Sequence, residues 1–146
     1  MPLVHDSTYR TQLIDRVRAL RPDSQRRFGK MSVDQMLWHM NGALEAALGQ
    51  RDLTPRKFPI PRPLLKFLVL HLPWGKGAPT AQELVPSGSY DFEAERVKCI
   101  RLIDVLSAKS MNESWADHPA FGRMSGRDVS RLQAKHLNHH LTQFGV

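Results

Sequence analysis

The chain has 146 residues, 41% apolar and 24% charged, the balance of a soluble globular protein that buries about two thirds of its unfolded surface in one core. A single cysteine, Cys99, excludes an internal disulfide and a cysteine-based metal site. The excess of 21 Lys and Arg over 14 Asp and Glu, +7 in all, favours anionic partners without choosing between nucleic acid and a small carboxylate- or phosphate-bearing molecule.

The opening MPLVHDSTYR lacks the basic-then-apolar pattern of a secretory leader. Ser7 or Thr8 can cap a first helix to about Leu20, with Leu13, Ile14, Val17 and Leu20 on one side. Pro22-Asp23 breaks it. Phe28-Gly29-Lys30-Met31-Ser32 leads into a second helix, with Ser32 as N-cap, Gln35 completing a capping box and Met31 placed to staple onto Met36. Val33, Met36, Leu37, Met40, Leu44, Ala47 and Leu48 form its buried stripe, with His39 at the edge beside Ala43 and Trp38 on the opposite side.

Seven of the 10 prolines lie between Pro55 and Pro86, so no long helix crosses that span. Leu64 to Leu72 can form a short helix, with Pro63 in its first turn and Pro73-Trp74-Gly75 ending it. It is about half the ~20 residues needed to cross a membrane, and cytoplasmic residence follows as the default. The rest of the segment is expected to pack across one end of the helices as a lid or wall. Gly75-Lys76-Gly77 lacks the spacing of a phosphate-binding loop and reads as a solvated turn.

Asp91 can cap a third long helix to Ser107 or Lys109, carrying Phe92, Val97, Ile100, Ile103 and Leu106 with Cys99 as a buried, inert thiol. The entry motif then recurs as Phe121-Gly122-Arg123-Met124-Ser125. Ser125 caps a fourth long helix whose stripe runs Val129, Leu132, His136, His140, Phe144. Four amphipathic helices without an alternating strand pattern indicate an all-α four-helix bundle over residues 1–146, with a proline-rich connection holding a short extra helix.

Two histidines on an apolar stripe one turn apart can grip one ion, and His39 on the second helix is the candidate third ligand. Zinc, nickel and iron all accept neutral imidazole, and three protein nitrogens leave positions open for water or substrate. His139 is also one turn from His136 and competes with His140, which the stripe favours. Gln143 can hydrogen-bond a ligand or a bound water. The bland alternative is a core in which each imidazole has its own hydrogen-bond partner. That reading is preferred for His5, His71 and His118.

At His39, within Gln35-Met36-Leu37-Trp38-His39-Met40, and at His136 and His140, within the terminal HLNHHLTQFG, the chain resembles the DinB/YfiT-like superfamily of metalloenzymes. The likeness, with the His118-Pro119-Ala120-Phe121-Gly122 segment, is closest to a branch of unassigned function and covers nearly the whole chain. It implies a four-helix bundle holding a divalent metal through His39, His136 and His140, zinc or nickel first, iron or manganese next. It also implies a small-molecule substrate, anionic or a thiol, handled by a hydrolase or a small-thiol S-transferase.

Two other functions compete. A nucleic-acid-binding module suits the charge, but the basic residues are scattered and the aromatic residues form no stacking platform. A non-catalytic metal-binding or dimeric bundle would use exposed apolar groups such as Trp38 as its partner surface.

Overall fold

A computed structural model describes residues 1–76 and 80–146. Among them are five α-helices, one 3-10 turn and no strand. The helices are α1 (Ser7–Ala19), α2 (Val33–Ala47), α3 (Arg62–His71), α4 (Phe92–Ala108) and α5 (Gly126–Gln143), and the 3-10 turn is Gln82–Leu84. Gly77, the last residue of the Gly75-Lys76-Gly77 turn, lies outside the described residues. No helix among those described is long and apolar enough to cross a membrane.

Local chemistry explains where each helix starts. For α1 the cap is Asp6, not Ser7 or Thr8: its carboxylate accepts the Tyr9 N–H at 2.8 Å, and a carboxylate also suits the positive end of the helix dipole better than a hydroxyl does. At α2, Gln35 Oε1 accepts the Ser32 N–H at 3.0 Å, while the Ser32 hydroxyl donates to Asp34 at 2.6 Å. Asp91 and Ser125 cap α4 and α5 through the N–H groups of Ala94 and Asp128. The repeated entry motif has a shared backbone reason: Gly29 and Gly122 sit at φ +87° and +72°, which a side chain disfavours.

The core joins Leu13 and Val17 of α1, Met36, Leu37, Met40 and Leu44 of α2, Leu102, Ile103 and Leu106 of α4, and Leu137 and Leu141 of α5. In it α2 lies mainly on α4, and α1 and α2 each meet both α4 and α5. The expected stripe of α4 is displaced. Val97 is 57% exposed, whereas Cys99, Leu102, Ile103 and Leu106, spaced i, i+3, i+4, i+7, are buried. Burial pushes the Cys99 thiol up to about 12, which keeps it protonated and inert.

The proline-rich segment is a wall built along two helices. Pro63 opens α3, which packs on α5 and buries Leu70. Its last carbonyls are satisfied from outside: the Trp74 indole donates to Val69 O at 2.8 Å, and Lys135 of α5 donates to Val69 O at 2.6 Å and to Leu72 O. The 3-10 turn packs on α2 through buried Leu84. Trp38, expected on a partner surface, is half-buried beneath its own chain. Tyr90 stacks on it at 5.0 Å, and the Arg51 guanidinium lies 5.3 Å from its ring centre.

Candidate metal centre

The second and last helices bring the three predicted histidines together. His39 Nε2 lies 3.0 Å from His136 Nε2, and His140 Nε2 lies 3.0 Å from the same atom. One ring nitrogen of each residue is within 4.8 Å of the other two. His39 and His140 are buried, 4% and 6% exposed, and His136 is half-buried. His139 points elsewhere, its ring packed edge-on against Phe28 at 5.8 Å and Trp74 at 5.5 Å. The register of the apolar stripe accounts for the choice of His140 over its neighbour.

Hydrogen bonds on the far side of two rings fix where their lone pairs point. His39 Nδ1 is 2.8 Å from the Leu84 carbonyl, and His140 Nδ1 is 2.6 Å from Gln143 Oε1. An oxygen acceptor requires a proton on each Nδ1, so in the neutral rings both Nε2 atoms carry bare lone pairs. His136 Nε2 faces both and has at most one proton to donate. Protein atoms alone therefore leave one of the two contacts as lone pair against lone pair. A cation resolves all three at once. With metal–nitrogen bonds of about 2.1 Å, adjacent ligand nitrogens stand about 3.0 Å apart at right angles and about 3.4 Å apart in a tetrahedron, so the two 3.0 Å separations from His136 Nε2 fit a shared ion.

The electrostatics agree with the geometry. Burial, and next the neighbouring imidazoles, hold His136 well below its ordinary value, and the same causes take His140 to about 3. Burial also lowers His39, against the raising effect of its bond to Leu84. All three rings are neutral at neutral pH, the form that ligates.

The surrounding shell was only half legible from sequence. Gln143 was expected as a supporting group, and it supports His140. The turn before α2 packs on this residue: the Arg27 N–H donates to the Gln143 backbone carbonyl at 2.6 Å, and the side-chain amide lies so close to Gly29 that a Cβ there would stand 2.7 Å from Gln143 Nε2. The Leu84 carbonyl was missed, because any residue supplies a carbonyl and only the path of the 3-10 turn brings this one to His39. Trp74, with its ring centre 6.1 Å from that of His136, was missed for the same reason.

Between the same two helices lies a cavity of about 270 Å³ whose lining includes none of the three histidines but does include Leu84, whose carbonyl meets His39. Ala43, Ala46 and Ala47 of α2 line it, facing Val129, Leu132 and Gln133 of α5 and His118 of the preceding loop. These residues follow His39 along α2 and precede His136 along α5, so the two helices run antiparallel. Burial lowers His118 to about 4. The remaining sequence candidates behave as core or surface groups. His5 bonds Ser130 Oγ and Lys109 O, each at 2.8 Å, and His71 packs tilted against Phe67 with ring centres 4.4 Å apart.

Compared with models of protein families, residues 8–145 match one described as a protein of unknown function (DUF1569). The match includes all three clustered histidines. No match is found among curated proteins or among solved structures.

Proposed function

The chain belongs to the DUF1569 family of proteins of unknown function, and from that premise we propose, on the site alone, that it is a divalent-metal-dependent enzyme acting on a small molecule. His39, His136 and His140 are the ligands, and zinc or nickel is the first choice of ion, iron or manganese the next. One observation carries the reading: three neutral imidazoles present Nε2 to a common point, two of them locked in that tautomer by Leu84 O and Gln143 Oε1. A structural histidine core would instead give each ring nitrogen its own partner.

In this reading the four long helices form a DinB-like bundle, and α3 with the 3-10 turn closes its sides. When bound, a divalent ion with three protein ligands supplies Lewis acidity at its open positions, which suits either hydrolysis or activation of a small thiol. The chain's own contribution is to hold three lone pairs in register, to keep the rings unprotonated by burial, and to leave the neighbouring cavity for the substrate.

Metal analysis of the purified protein is expected to find one divalent ion per chain, lost in His39→Ala and in His140→Ala. Assays with hydrolase substrates, and with thiol plus electrophile, then separate the two reactions. A protein that takes up no divalent metal, and whose metal content and melting temperature His140→Ala leaves unchanged, overturns the proposal. Metal uptake with no activity in either assay would make it a binding protein instead.

A further inference from the structure

The cavity between α2 and α5 contains a buried polar group that the fold itself leaves unused. Gln133 is 6% exposed, lines the cavity, and its buried Oε1 has no hydrogen-bond partner among the described residues. Such a group costs stability wherever it stays unpaired. It lies three residues before His136, about 4.5 Å along α5 at about 1.5 Å per residue.

A second polar group, His118, lines the same cavity from the loop before α5. His118 Nδ1 accepts the backbone N–H groups of Ala120 at 3.0 Å and Phe121 at 3.3 Å. Backbone nitrogens can only donate, so the neutral ring carries its proton on Nε2, and no partner for that N–H occurs among the described residues. The ring is held in place by stacking on Phe121 at 4.1 Å and by the reciprocal backbone bonds between His118 and Gly122.

We infer that this cavity is the substrate subsite of the metal centre, and that it takes an uncharged, amide-bearing molecule with a small apolar body. The Gln133 amide can give and receive a hydrogen bond, His118 Nε2 can give one, and the alanines of α2 leave room for an apolar body between them. A carboxylate is disfavoured by the charge of the lining, in which the single cation among the described residues, Arg51, with its guanidinium against the Trp38 ring, is outnumbered by Asp52 and Asp117. The volume exceeds the ~150 Å³ in which an apolar cavity accepts benzene, so a ring bearing one amide fits. The inference rests on the metal reading only for the cavity's purpose; occupancy of the cavity is separate.

The test uses benzamide, benzoate and the metal-loaded protein, with binding followed by calorimetry and metal content measured on every sample. Benzamide is expected to bind, benzoate at least tenfold more weakly. Gln133→Met, of similar shape but without the amide, is expected to weaken benzamide about tenfold while raising the melting temperature by about 2–4 °C, since it removes an unpaired buried acceptor. Its metal content stays at the wild-type level. Benzamide binding equal in wild type and Gln133→Met, benzoate binding as tight as benzamide, or a lower melting temperature in Gln133→Met would each overturn the assignment. Benzamide bound with the expected preference by a protein that holds no metal would sink the metal reading and leave the subsite standing.

Discussion

At the scale of single residues, the orientation of the clustered histidines depends on the hydrogen bonds behind His39 and His140. Gln143→Leu removes the acceptor of the His140 Nδ1–H and frees that ring to turn or to change tautomer. Metal affinity is expected to fall 10- to 100-fold, measured by competition with a chelator, and the metal-free protein to lose about 1–3 kcal/mol in urea unfolding, from the buried donor left unpaired. An unchanged affinity would mean that α5 alone orients His140. The depressed imidazoles also set a pH dependence for the metal-free protein. Above about pH 6.5 the rings are neutral both folded and unfolded. Below it the unfolded chain takes up protons that buried His140, lowered to about 3, and His39 and His136, lowered too, refuse. Stability therefore falls as pH drops from about 6.5 towards 3. The urea midpoint is expected to be lower at about pH 5 than at about pH 7.5, and a flat profile would show that the rings are not buried as described.

At the scale of elements, the two ligand-bearing helices share an entry motif because each must begin sharply after a left-handed glycine. Ser125→Ala deprives the Asp128 N–H of its acceptor, the Ser125 hydroxyl at 3.1 Å. It is expected to cost about 1 kcal/mol, or about 2–4 °C in melting temperature, without altering metal stoichiometry, because His136 and His140 lie two turns or more beyond the cap. These starts could be read from sequence, since caps and turn glycines act locally. So could the clustering of His136 and His140, because i, i+4 spacing on an apolar stripe fixes which rings face inward. The face of α4 could not be placed as well. Val97 and Val105 offer an apolar edge that stays 57% and 38% exposed, and only the packing of α1 and α2 selects Cys99, Leu102, Ile103 and Leu106 instead. Leu84 O was beyond reach for a related reason: its role follows from tertiary placement of a proline-rich segment whose own pattern carries no periodic signal.

Taken as a whole molecule, the fold surrounds its ligands with elements distant in sequence: the turn before α2 seats Gln143, the 3-10 turn holds His39, and α3 and Trp74 flank α5. An ion bound there ties α2 to α5 and should stabilise the entire chain by mass action. The lone thiol offers a way to see it. Cys99 is wholly buried at the centre of α4, so an alkylating reagent reaches it only when the interior opens. Its modification rate then counts opening events under native conditions, with no denaturant and no engineered probe. Adding zinc is expected to slow that reaction by a factor that grows with zinc concentration, and an unaltered rate would mean that the ion does not hold the folded state. The same shielding means that a cysteine introduced on the surface can carry a dye or spin label while the native sulfur stays silent.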